Sequence, residues 1–525
     1  MSYDYVIVGA GSAGCVLAAR LSADPDVTVC LIEAGPSDDI DEVRIPVAGG
    51  ALRRTRYDWD YDTHDEPHCG GRRLYLPRGR MLGGCSSLNG QVYIRGNRLD
   101  FDEWGPGWTY ADLLPYFLRG EDNERGASAY HGVGGPLSVA DNRSRNPMCT
   151  STVLAAVQAG YSANDDFNGV AQDGFGYYQV TQRDGLRCSS AAAYLHPLRR
   201  SNLTVRTSWQ AEKILLRDET AVGVRCRQLD TVLDIHAERE VVLAAGAYNS
   251  PQLLMLSGIG PASDLAALGI PVVLDHPFVG RNLQDHPSVY LVYAHDEPIS
   301  LLAAATPENA RLLADEGRGP LTSNAPEAGG FVRTVGGLPA PDVQFHALPL
   351  MFMEGALAEL TEHGYSFGPT VLRPTSRGAV SLFSADPSAK PRIRHLYYAE
   401  PDDLDTMVAG LRVALEITGQ SPLRQYTTRA VSVPESASDG DLRAFIRAKT
   451  ESLFHPVGTC AIGSVVDSDL RVLGVDGLRV VDASVMPTLP RGNINAPIMA
   501  IAERAADLIA GVQPASAADW DTRAA

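Results

Sequence analysis

The clearest pattern of apolar and polar positions lies in the first 35 residues. Tyr5-Val6-Ile7-Val8 is an unbroken apolar run, as expected of a strand buried on both faces. The glycine turn Gly9-Ala10-Gly11-Ser12-Ala13-Gly14 follows, and small and apolar residues from Cys15 to Leu21 predict a helix. Val27 to Ile32 is a second strand, ending at Glu33-Ala34-Gly35. This is a βαβ unit with parallel strands. Residues 36–110 lose periodicity and are rich in Arg, Gly, Tyr and Trp, which predicts long ordered loops serving a site. Short strands are expected at Leu203–Val205, Ile214–Leu216, Ala221–Arg225 and from Glu240 to Leu243. Ser250-Pro251 before an apolar stretch predicts a helix capped by Ser250, with Pro251 at its first position. Residues 340–395 alternate as antiparallel strands do, at Val343, Phe345 and Ala347 and again from Ala379 to Phe383. Asp402–Thr418 predicts an amphipathic helix, and a last helix starts near Pro497 and runs to about Ile509. The small, polar tail Pro514–Ala525 is expected to be disordered.

No repeat or low-complexity linker divides the chain, so its domains are expected to interleave. The fold class is α/β, α+β overall. A length of 525 residues exceeds one simple core. The net charge of −18 repels phosphates and anionic lipid, which sets nucleic acid and membrane surfaces aside as partners. The eight cysteines form no C-x-x-C and no Cys/His cluster with metal-ligand spacing, so no metal is expected and a reducing cytoplasm fits. No basic segment precedes Tyr5, so no signal peptide is expected. No uncharged apolar run approaches the roughly 18 residues of a spanning helix.

Gly9-x-Gly11-x-x-Gly14, set between a strand and a helix, fits a dinucleotide. The glycines allow a tight turn, close approach to a pyrophosphate and close helix–strand packing. The helix N-terminus supplies N–H groups and a positive dipole end. Glu33, at the end of the second strand, suits a ribose 2′-hydroxyl and would repel the 2′-phosphate of NADP. The fingerprint alone does not separate FAD from NAD.

Five further stretches carry a family resemblance. Gly79-Arg80-Met81-Leu82-Gly83-Gly84-Cys85-Ser86-Ser87-Leu88-Asn89-Gly90 resembles the first signature of the glucose–methanol–choline (GMC) oxidoreductases, and Gly246 to Gly260 resembles the second. Val279-Gly280-Arg281-Asn282-Leu283-Gln284-Asp285-His286, His455-Pro456-Val457-Gly458-Thr459-Cys460, and the run from Val481 to Pro487 and on from Gly492 to Pro497 look like the remaining blocks. They occur in family order and frame nearly the whole chain, with a texture nearest the choline-dehydrogenase-like and small-alcohol-oxidase branch. The resemblance implies FAD and two interleaved domains. A Rossmann-like FAD part is expected at 1–155, 200–300 and 453–525. A substrate part on an antiparallel sheet is expected at 156–199 and 301–452.

Beside Gly9, Gly11, Gly14 and Glu33, the resemblance implies cofactor contacts from Ser12, Ala13, Ala34, Arg80, Gly83, Gly84, Ser86, Asn89, Gly90, Val92, Ala211, Ala245, Gly246, Asp482, Ala483, Asn495 and Pro497. The Ser86 hydroxyl could donate to phosphate, and Asp482 is expected near the ribityl or pyrophosphate. Leu88 stands where choline oxidases of this type carry a flavin-bonded histidine, so the FAD is expected to be non-covalent. Trp59 either covers the cofactor or fills the core.

Oxidising an alcohol removes a hydroxyl proton to a base and an α-hydride to flavin N5. Histidine suits the first task. The resemblance assigns the base to His455 and its partner to Asn495, which orients the alcohol oxygen by hydrogen bonding. Asn493 is expected to be structural, as are His131, His286 and His346. The last helix, with Pro497 near its first position, aims a positive dipole end at the flavin. Phe454 is expected to shape an apolar pocket wall, and Glu327 to sit near the substrate or to be an exposed carboxylate.

The expected activity is oxidation of a primary alcohol to the aldehyde, with O₂ or another acceptor taking the electrons. Two other readings stay open: a choline dehydrogenase or oxidase, and an FAD-holding hydroxynitrile lyase without redox turnover. Leu348-Pro349-Leu350-Met351-Phe352-Met353 suits either a greasy pocket, favouring aromatic or aliphatic alcohols, or a buried strand.

Overall fold

The computed structural model describes residues 1–513; the tail expected to be disordered lies outside the described residues. Two sheets organise the chain. In the first, Ser2–Val8 lies between Val29–Ile32 and Thr231–Leu243, paired in parallel with both. Leu203–Arg206 extends it in parallel beyond Val29–Ile32. On the other side, Thr220–Gln228 and Gln210–Arg217 continue antiparallel, and Leu478–Val480 joins the end of Thr231–Leu243 in parallel. Val6, Ile7, Val29 and Leu31 are fully buried, which explains the unbroken apolar runs.

The turn after Ser2–Val8 depends on its glycines. Gly9 adopts a left-handed φ of +100°, and a Cβ on Gly14 would lie 1.8 Å from the Gly9 carbonyl oxygen. Only hydrogen at Gly14 lets the helix Ser12–Leu21 begin so close to the strand. That helix packs against the last helix, Asn495–Ala510. Buried Glu503 fixes the pair by accepting from Arg20 Nε and Arg119 Nε, each at 2.8 Å, and from the Tyr194 hydroxyl at 2.7 Å.

The second sheet is antiparallel, ordered Arg429–Ser432, Leu291–Ala294, Gly364–Val371, Val343–Leu348, Ala328–Val332 and Gly174–Tyr177. Leu291–Ala294 therefore belongs here, not with the cofactor part where the sequence had placed it. Val343, Phe345 and Ala347 pack with Leu404, Met407 and Leu411 of the helix Pro401–Thr418. His346 and Leu348 point to the opposite face and line a cavity.

One helix starts earlier than expected. Gly246–Leu256 encloses Ser250 and Pro251, so Ser250 is no cap. Its hydroxyl instead donates to Asp482 at 2.6 Å. Proline cannot donate to the carbonyl of Ala247, and the Thr459 hydroxyl takes that acceptor at 2.6 Å. Among the described residues, no helix is long and apolar enough to cross a membrane.

Candidate active site

A cavity of about 570 Å³ lies beyond the carboxyl ends of Ser2–Val8, Val29–Ile32 and Thr231–Leu243, the usual ligand position of such sheets. Gly9, Gly11, Ser12 and Ala13 line it at the start of the first helix, with Glu33 and Ala34 beside them. Glu33 accepts from the backbone N–H groups of Ala10 and Gly35, each at 2.9 Å. Burial pushes its carboxyl up to about 7, against those donors. Gly84, with φ +52°, closes the cradle: a Cβ there would stand 2.7 Å from Gly11 Cα.

Asn89, Gly90, Val92, Ala211, Ala245, Gly246, Asp482, Ala483 and Asn495 also line the cavity, as do Trp59 and Leu88. Asp482 ties its own turn to the helix Gly246–Leu256, accepting from the Gly246 N–H at 2.9 Å, the Ser250 hydroxyl and the Ser484 N–H. Gly14, Arg80, Gly83, Ser86 and Pro497 do not face the cavity. Ser86 is committed elsewhere, donating to the Gly83 carbonyl at 2.6 Å and meeting the Ser190 hydroxyl at 2.8 Å, which leaves no free phosphate donor. The Arg80 guanidinium lies over the Trp59 ring at 5.0 Å. Pro497 is the third residue of its helix, which begins at Asn495 on the cavity wall. The helix N-terminus therefore does open on the site. A glycine cradle, a helix N-terminus and a buried carboxylate in this order fit FAD.

His455 lies across the cavity on a strained turn. Phe454 has φ +68°, a conformation costing on the order of 1–3 kcal/mol for such a residue. Three bonds hold it. The Phe454 N–H donates to the Ser452 hydroxyl at 2.7 Å, Arg78 Nη2 donates to the Phe454 carbonyl at 2.6 Å, and the His455 N–H donates to Asp285 Oδ1 at 2.7 Å. Burial first, then the neighbouring His286, His346 and Arg78, holds His455 well below the usual histidine range, so the ring is neutral and able to accept a proton.

The structure revises its partners. His286, expected to be structural, places Nδ1 2.9 Å from Nδ1 of His455. Asn493, also expected to be structural, turns Nδ2 toward His455 Nε2 at 3.3 Å. Asn495, the expected partner, lines the cavity, but its Oδ1 accepts from the Ser12 hydroxyl at 2.8 Å and its Nδ2 donates to Met499 Sδ at 3.7 Å. His346 lines the cavity, and neither of its ring nitrogens has a partner among the described residues. His131 keeps its structural place between Glu121 and Asp166.

Glu327 does not line the cavity and is not exposed. It is fully buried off the cavity, accepting from the Asn146 N–H at 2.8 Å and the Ser323 hydroxyl. Phe454 lines the cavity as expected, and so do Leu348, Leu350, Met351 and Phe352. His286 and Asn493 each stand in a quoted motif, but no sequence signal places them against a residue 169 or 38 positions away.

The family profile "GMC oxidoreductase" matches residues 3–288 and, in its C-terminal part, residues 374–502. The chain is 42% identical to the human mitochondrial choline dehydrogenase, covering 99% of this chain and 91% of that protein. It is also 42% identical to the alcohol dehydrogenase [acceptor] of Pseudomonas putida, covering 97% of this chain and 95% of that one. The crystal structure of pyridoxine 4-oxidase from Mesorbium loti superposes with a TM-score of 0.89 at 31% identity, over 97% of this chain and 100% of that one. The chain belongs to the GMC oxidoreductases, and it is an FAD-dependent enzyme acting on CH–OH donors.

Proposed function

We propose that this enzyme oxidises an apolar primary alcohol to its aldehyde, with His455 taking the hydroxyl proton. The observation that carries the reading is the wall around His455, made of Tyr290, Leu348, Leu350, Met351, Phe352 and Phe454. Among the described residues, the only carboxylates on the cavity are Glu33 and Asp482, both on the cofactor side and both bonded to backbone N–H groups. FAD bound along Gly11–Ala13, Glu33 and Gly84 supplies the acceptor for the α-hydride. His455 Nε2 takes the proton, and the amide groups of Asn493 and Asn495 hold the alcohol oxygen as its charge develops.

A second reading, choline, draws on the choline dehydrogenase relatives and on the Tyr290–Phe352 ring pair, 5.1 Å apart, which could face a quaternary ammonium. Steady-state assays of benzyl alcohol, 1-butanol and choline, in air and with an artificial acceptor, separate the two and identify the electron acceptor. The apolar alcohols are expected to lead choline in kcat/KM by roughly 100-fold, the factor that about 2–3 kcal/mol of apolar burial gives. A preference for choline would replace the first reading with the second.

The FAD is held without a covalent bond in this reading, because the Leu88 side chain offers the flavin no nucleophile. Acid precipitation is then expected to leave a white pellet under a yellow supernatant. A yellow pellet would mean that another residue makes the bond.

A further inference from the structure

We propose that His286 is a positioning residue that fixes the proton of His455 on Nδ1, leaving Nε2 unprotonated. This rests on His455 being the base. The ring protons follow from their partners, beginning with those that can only accept. His286 Nε2 lies 3.0 Å from the Leu372 carbonyl oxygen, so Nε2 carries a proton and donates it. Burial pushes His286 down to about 4, against the pull of Asp285 and the carbonyls of Leu372 and Pro490. The ring is therefore neutral, and its Nδ1 holds only a lone pair. His455 Nδ1, 2.9 Å away, must then donate to it. A neutral His455 that carries its proton on Nδ1 has a lone pair, and no proton, on Nε2.

A second chain of bonds reaches His455 from the opposite side and gives the same answer. The Tyr178 hydroxyl donates to the Phe345 carbonyl at 2.6 Å, so its oxygen accepts from Gln344 Nε2 at 3.2 Å. The same Gln344 amide nitrogen donates to Asn493 Oδ1 at 3.1 Å. Asn493 must therefore turn its Nδ2 to His455, where it meets Nε2 at 3.3 Å as a donor. Two backbone carbonyls, Leu372 and Phe345, thus set the tautomer through separate routes. With the proton on Nε2 instead, His455 would present an N–H to the alcohol and could not accept its proton.

Two substitutions of His286 test this on the FAD-loaded enzyme. His286→Gln keeps a group that reaches Leu372 but offers His455 no acceptor; His286→Asn places an oxygen near the old Nδ1. The glutamine variant is expected to lose about 10- to 100-fold in kcat, part of what a positioned base contributes, with the KM for alcohol near that of the parent. The asparagine variant is expected to recover most of that loss. Ring ¹⁵N shifts of histidine-labelled enzyme provide a readout independent of turnover, the His455 signal being assigned by its absence from His455→Gln. That signal is expected to show the proton on Nδ1 in the parent and in His286→Asn, and on Nε2 in His286→Gln. A parent signal with the proton on Nε2, or equal losses in the two variants, would overturn the proposal. Full loss in His455→Gln alongside a parent proton on Nε2 would sink only the tautomer assignment and leave the base in place.

Discussion

Replacing His455 with glutamine is expected to lower kcat/KM for the alcohol by roughly 10²- to 10⁴-fold, the range a positioned general base supplies. Four of its neighbours, Asn493, Asn495, Arg78 and His286, cannot take over the task. Asn493 and Asn495 carry amides, which do not accept a proton, and Arg78 is a permanent cation. His286 already donates to Leu372 and accepts from His455. Glutamine occupies similar space, so the turn through Phe454 should survive, because its bonds use the backbone of Phe454 and His455. The flavin-to-protein absorbance ratio should therefore match the parent. A variant that keeps its kcat/KM within a few-fold would shift the base to His346, whose two ring nitrogens lack partners among the described residues.

The second large effect falls on the cofactor cradle, where two glycines separate packing from binding. A Cβ at position 14 would collide with the Gly9 carbonyl oxygen, a backbone atom that cannot move aside. Gly14→Ala is therefore expected to displace the first helix from its strand, at about 1–3 kcal/mol or more, and to lower both Tm and flavin content. A Cβ at position 11 would meet nothing closer than the Ala244 carbonyl oxygen at 4.0 Å, so the fold should accept it. That methyl group would occupy space along the cavity where the pyrophosphate must approach. Gly11→Ala is expected to keep the parent Tm of the FAD-free protein while losing at least about tenfold in FAD affinity, equivalent to about 1.4 kcal/mol. Flavin titration followed by fluorescence, together with thermal melts, checks both. Full flavin content in both variants would contradict the placement of the cofactor.

Much of this arrangement was legible in the chain because local sequence constrained it. The βαβ unit follows from an apolar run, three glycines and a carboxylate at short range. The helix Pro401–Thr418 follows from its own apolar period, and the quoted motifs place His455 and the glycine cradle. What stayed hidden depends on distant partners. Ser250-Pro251 has the local form of a helix start, and only Thr459, more than 200 residues away, lets the helix run through Pro251. Asn493 and Asn495 are two positions apart and chemically identical, so the choice between them depends on where the last helix begins. Glu327 has the form of a pocket carboxylate until Asn146 and Ser323 are seen to satisfy it in the core.

The most direct test is to mix the purified enzyme with benzyl alcohol under nitrogen and follow the flavin band in the visible. Bleaching is expected, slowed severalfold when the carbinol hydrogens are deuterium, because the hydride leaves that carbon while His455 takes the hydroxyl proton. An intact yellow band with benzyl alcohol, choline and a wider panel of primary alcohols would contradict it, and would point to chemistry in which the bound FAD undergoes no redox change, as in a hydroxynitrile lyase.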